Sequence, residues 1–226
     1  MRLVRCLRLL ALAGCLAATL PAQAALGSFT SRAAFDAAIA GLAATTVDFE
    51  GVAAGTSFAS GSGTGGLVFS YAIAGPSTLQ VADTFGTTSG TNYLGLDNPD
   101  TAFYLGDSVT IDFGRPVQAV GLYVVAGGDV QAGDIELAVA SGSLVNSAMA
   151  DRLVSDGQAF WLGLVESDPT LSFSSATLRG VPAGGALLAF TVDDITSAAA
   201  AVPEPGSTAL MLAGLAVLAG TLRRRR

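Results

Sequence analysis

Long apolar runs occur only at the two ends of this chain. Between them, apolar residues alternate with polar ones or fall in short clusters. One segment near the start has helical spacing. Phe35, Ile39 and Leu42 recur at i, i+4 and i+7, behind Thr30 or Ser31 as a candidate N-cap, and Gly41 marks the end. From there the pattern changes to a period of two. Residues 47–50 predict a short strand. Residues 67–73 alternate Leu67, Phe69, Tyr71 and Ile73, and residues 109–113 alternate Val109, Ile111 and Phe113. Segments 117–125 and 134–140 read as hairpin partners around the turn-rich Ala126-Gly127-Gly128-Asp129. Segments 160–165, 171–178 and 187–195 complete the set.

Many short strands separated by Gly, Ser, Thr and Asp predict a mainly β body of two packed antiparallel sheets, with one short N-terminal helix. Residues 75–92 read as a strand-poor surface loop. Low complexity is confined to residues 53–66, rich in Gly and Ser, and to the alanine run 198–201, which reads as a linker. Gly61-Ser62-Gly63-Thr64-Gly65-Gly66 has the letters of a dinucleotide-binding turn. It precedes a strand instead of following one, so it reads as loop.

The two ends have the form of targeting segments, leaving one domain at residues 25–197. Residues 1–24 read as a secretory signal peptide. Arg2, Arg5 and Arg8 precede the apolar stretch 9–20, Pro21 breaks the helix, and Ala22-Gln23-Ala24 offers small residues at a cleavage site. Leu12-Ala13-Gly14-Cys15 matches a lipobox, which is a rival site of cleavage. At the other end, Val202-Pro203-Glu204-Pro205-Gly206 leads into the apolar run 207–222. The chain closes on Arg223, Arg224, Arg225 and Arg226. The prolines keep the entry extended. As a helix the run spans about 24 Å, a little short of a ~30 Å hydrocarbon core. The four arginines are stop-transfer residues that stay cytoplasmic, which predicts a single C-terminal membrane helix.

Charge then narrows the partners. Between the two targeting segments stand 17 acidic residues and four arginines (Arg32, Arg115, Arg152, Arg179), with no Lys, His or Cys. A field of that sign repels nucleic acid and anionic headgroups and attracts divalent cations. The missing residue types close several catalytic routes. There is no Ser-His-Asp triad, thiol nucleophile, Schiff-base lysine or histidine zinc site. Paired carboxylates remain open for glycan chemistry. Asp151, Asp156, Glu166 and Asp168 are available, but their spacing singles out no pair. The reading is therefore a non-catalytic module. Sugar stacking would draw on Tyr71, Tyr93, Tyr104, Tyr123 or Trp161, with core packing the competing role for Trp161. The turn Asp97-Asn98-Pro99-Asp100, with Asp107 nearby, reads as solvated.

The C-terminal order of Pro-Glu-Pro, short apolar helix and basic cluster resembles the PEP-CTERM sorting signal, over residues 202–226. The resemblance implies recognition of Pro203, Glu204 and Pro205 by an exosortase, a membrane-embedded cysteine transpeptidase. It further implies a transient inner-membrane intermediate, removal of the tail, and delivery to the cell surface or an exopolysaccharide matrix. A plain C-terminal membrane anchor is the competing reading.

The body carries a second resemblance. A helix leading into Val47-Asp48-Phe49-Glu50-Gly51 is followed in order by Tyr93-Leu94-Gly95, Val109-Thr110-Ile111-Asp112-Phe113 and Phe190-Thr191-Val192-Asp193-Asp194-Ile195. This looks like the jelly-roll domains that carry PEP-CTERM tails, and its first and last strands are similar to those of jelly-roll carbohydrate-binding modules. That resemblance implies a structural calcium shared by Glu50 and Asp193 or Asp194. In a regular strand the two aspartates would point to opposite faces.

Overall fold

The computed structural model describes residues 26–128, 130–181 and 189–199. Among them fifteen strands and one short helix form two antiparallel sheets. Residues 1–24, expected from the sequence to be a signal peptide, the motif Pro203–Glu204–Pro205, the apolar run 207–222 and the terminal arginines lie outside the described residues. Within the described residues no helix is long and apolar enough to cross a membrane.

The larger sheet is built on three long strands, β9 (Ala119–Ala126), β13 (Gly157–Glu166) and β15 (Ala189–Ala199). Strand β9 lies between the other two, and β1 (Leu26–Phe29) and β12 (Arg152–Val154) add to β13. On its other side β15 meets β2 (Ala43–Val47), β6 (Tyr93–Leu96) and β7 (Phe103–Tyr104). Strands β5 (Leu79–Ala82) and β3 (Ser57–Phe58) continue outward from β6. The smaller sheet runs β11 (Gly142–Val145), β10 (Ile135–Val139), β14 (Phe173–Gly180), β8 (Ser108–Val117), β4 (Val68–Ala72).

Alternation decides the packing. Val120, Leu122 and Val124 of β9 face the second sheet, together with Leu162 and Leu164 of β13. They meet Val109, Ile111, Leu137 and Leu178 in the main core. The opposite face of β9 and β13 is apolar too, with Tyr123, Val125 and Trp161, and helix α1 (Arg32–Ala38) lies over it. Phe35 points down from α1 onto Trp161, the ring centroids 5.1 Å apart. Gly121 and Gly163 make the room: a Cβ at Gly121 would stand 2.2 Å from the indole, and one at Gly163 2.5 Å from the Phe35 ring.

Four expectations change. Strands β9 and β10 are not a hairpin; they lie in different sheets, because the chain crosses the sandwich after Ala126. The early strand falls at Ala43–Val47, not at 47–50, since Phe49 takes a left-handed backbone (φ 61) that ends pairing. Segment 75–92 contains β5, whose Leu79 and Val81 are fully buried. The linker assigned to 198–201 begins too early. Ala198 and Ala199 belong to β15, and Ala198 is buried against Ala119.

Candidate functional site

The carboxylates singled out in the sequence do converge, around the loop that follows β5. Glu50 sits in the turn after β2. Its Oε1 accepts the backbone N–H of Thr91 at 2.8 Å and of Asn92 at 2.6 Å. Asn92 donates its side-chain amide to the carbonyl of Val52 (2.9 Å). Asp193 is fully buried in β15. Its Oδ2 accepts the backbone N–H of Thr88 and of Ser89, both at 2.9 Å, and the Thr88 hydroxyl at 2.8 Å. The Ser89 hydroxyl donates to the same carboxylate at 3.1 Å. Residues 88–92 are thus clasped between the opening and closing parts of the body.

A bulge explains how both aspartates serve one loop. Asp193 opposes Tyr123 and Thr196 opposes Gly121, so β15 fits one extra residue into that stretch of its ladder with β9. Asp194 there has φ 51, a left-handed geometry that aspartate tolerates better than most residues. The expected alternation is broken. The Thr88 hydroxyl lies 3.0 Å from Asp194 Oδ2, as well as 2.8 Å from Asp193. Arg152, from β12, closes the group. Its guanidinium donates to the Thr88 carbonyl at 2.5 Å, stands 3.8 Å from Asp194 Oδ2, and lies over the Tyr123 ring at 4.5 Å.

The electrostatics follow from burial. Desolvation, and then the neighbouring Asp194 carboxylate, push the Asp193 carboxyl up to about 6, against the donors from Thr88 and Ser89. Tyr123 is raised by burial and by donating to Asp151 Oδ2 at 2.7 Å.

This donor set does not fit the calcium implied by the sequence resemblance. A calcium ion takes six to eight oxygens, whereas Glu50 Oε1 and Asp193 Oδ2 face backbone N–H groups and Asp194 faces a guanidinium. Among the described residues no group of three or more His, Cys, Asp or Glu side chains could hold a metal ion. Glu50, Asp193 and Asp194 are placed as loop clasps.

Beside the clasp lies an open cleft of about 360 Å³, lined by Asp83, Phe85, Thr87, Thr91, Ser155 and Asp156 among others. Phe85 is 41% exposed and stacks on the buried Tyr93, ring centroids 6.4 Å apart. Asp156 fixes the cleft wall by accepting the Gly86 N–H at 2.9 Å. Of these residues only Asp156 was among the candidate carboxylates of the sequence, without a partner or a place; Phe85, Thr88, Ser89 and Arg152 were not singled out as site residues. Only the scarcity of arginine in the body could have drawn attention to Arg152.

The aromatics that were anticipated lie elsewhere. Trp161 is core, under α1 and capped by the Arg32 guanidinium at 4.7 Å. Tyr93 and Tyr123 are buried, Tyr71 donates to the Phe58 carbonyl, and Tyr104 donates to Asp100. The remaining carboxylates have local partners. Asp97 holds Thr78, Asp107 accepts from Ala74 and Tyr104, Glu166 takes the Ser141 hydroxyl, and Asp168 caps Thr170.

The fold and clasp define a β-sandwich body of an acidic, cysteine-free type. The comparison with known families concerns the other end of the chain: residues 201–226 match the PEP-CTERM protein-sorting motif. That match implies an exported protein sorted by an exosortase, by way of a C-terminally membrane-anchored intermediate. A search of curated proteins gave no match.

Proposed function

We propose that this protein is a surface or extracellular-matrix component whose jelly-roll-like body is a non-catalytic module associated with exopolysaccharide. The observation that carries the reading is the sorting motif at 201–226, with Pro203, Glu204 and Pro205 as its recognition residues. In this reading the apolar run 207–222 holds the chain in the inner membrane, the arginines keep the last residues cytoplasmic, and the exosortase removes the tail.

The cleft supports the sugar half of the reading. An exposed aromatic ring, fixed from behind by Tyr93, offers a flat apolar surface to the C–H face of a pyranose. The Asp83 and Asp156 carboxylates and the Thr87 and Thr91 hydroxyls beside it supply hydrogen-bonding groups for sugar hydroxyls.

The test is co-sedimentation of the purified body with extracted matrix polysaccharide, comparing wild type with Phe85→Ala. Loss of roughly 0.5–1.5 kcal/mol of stacking, a fall of about two- to tenfold in affinity, is expected. Equal binding by both proteins would remove the cleft from the account. Absence of binding by the wild type would leave the body a structural component only.

A further inference from the structure

Strand pairing fixes where the chain enters and leaves the body. Leu26 of β1 pairs with Glu166 of β13, the adjacent Val165 pairs with Ala119 of β9, and Ala119 pairs with Ala198 of β15. The first and last described residues therefore lie at the same pole of the large sheet, three strand spacings or about 14 Å apart. The turn after β13 and the single residue Gln118 between β8 and β9 share that pole. The opposite pole, where Phe190 pairs with Ala126 and Ala126 with Gln158, carries the loops at Gly127, Asp156 and Asp107.

The tether at the exit is short. Three residues separate Ala199 from Pro203, and eight peptide steps separate it from Ser207 at the start of the apolar run. At full extension the latter is about 28 Å, less than the ~35 Å length of β15 itself. Charge is distributed to match. Asp97, Asp100, Asp107, Asp134, Glu136 and Asp156 lie at or beside the far pole and outnumber Arg152 and Arg179, which share it, while the terminal pole carries Glu166, Asp168 and the exposed Arg115. Carboxylates are repelled by anionic headgroups, so the far pole is the less favourable one to turn toward lipid.

We propose that, while the tail is attached, the body stands on the membrane by this terminal pole, with the lipid surface as its partner and the far pole directed away. This rests on the sorting reading above, because it takes residues 207–222 to be in the bilayer.

The test uses the full chain in a host lacking exosortase, with Cys6→Ser and Cys15→Ser so that one introduced cysteine carries a fluorophore. Ser172→Cys places it at the terminal pole, at an exposed position beside the start of β14. Gly127→Cys places it at the far end of β9, where a Cβ meets nothing within 4 Å. The protein is reconstituted into phosphatidylcholine–phosphatidylglycerol vesicles bearing a headgroup nitroxide. Quenching several-fold stronger at 172 than at 127 is expected. Equal quenching, or stronger quenching at 127, in vesicle-bound protein would overturn the orientation alone. A chain that stays out of the membrane fraction would overturn the sorting reading and the orientation with it.

Discussion

Asp193 combines full burial with a crowd of donors and an acidic neighbour, and burial has the larger effect on its proton. Its carboxyl is pushed up to about 6 from an ordinary aspartate value near 4. Between those pH values the folded protein holds a proton that the unfolded chain has released. Stability from this residue is therefore fully present below about pH 4, falls as pH rises through 4 to 6, and stays lower at neutrality, by at most about 3 kcal/mol. Urea unfolding at pH 4, 5, 6 and 7 for wild type and Asp193→Asn would isolate it. The wild type should lose ground to the variant up to pH 6 and hold level above. A difference that is flat across the range would contradict this. Gly163 makes a second residue-scale case. With Phe35 and Trp161 already in contact above it, Gly163→Ala must displace one of them, and a loss of about 1–3 kcal/mol is expected from urea or thermal unfolding. An unchanged midpoint would mean that α1 lifts without cost.

The clasped loop is the element on which the candidate site depends. Glu50 holds Thr91 and Asn92 from one side, and Asp193 holds Thr88 and Ser89 from the other. Glu50→Ala removes only the first grip. Hydrogen exchange should accelerate at the amides of Thr91 and Asn92 while β9 and β13 keep their protection. Acceleration spread over the whole sandwich would mean instead that Glu50 supports the fold. Strands whose own alternation is long were legible in the sequence: 109–113 lies inside β8, 160–165 inside β13 and 67–73 around β4. Partners were not. The Gly-Gly turn after Ala126 signals a change of direction, but nothing local says that the next strand joins the other sheet. Strand β5 is four residues in a Gly- and Thr-rich stretch, too short for its period to stand out. For the site, Glu50, Asp193 and Asp194 were legible as a set only through the resemblance of the opening and closing segments to jelly-roll carbohydrate-binding modules, which implied a calcium and not a loop clasp. The bulge that turns both aspartates to Thr88, and the arrival of Arg152 from β12, depend on tertiary pairing and leave no periodic trace.

At the scale of the whole molecule, the chain divides into a packed acidic body and a short, ordered sequence of signals at its C-terminus. The body ends in its central strand β15, and the Pro-Glu-Pro motif follows after three residues. Within the sorting motif Glu204 is the most specific residue, a lone carboxylate between two prolines ahead of an apolar run. The most direct test is the intact mass of the chain from cells with and without an exosortase, for wild type and for Glu204→Ala. A tail-less product is expected only when the enzyme is present, and only for the wild type, with the processed body leaving the membrane fraction. A full-length mass in every sample, with the chain still in the membrane, would contradict that expectation and leave a permanently anchored protein.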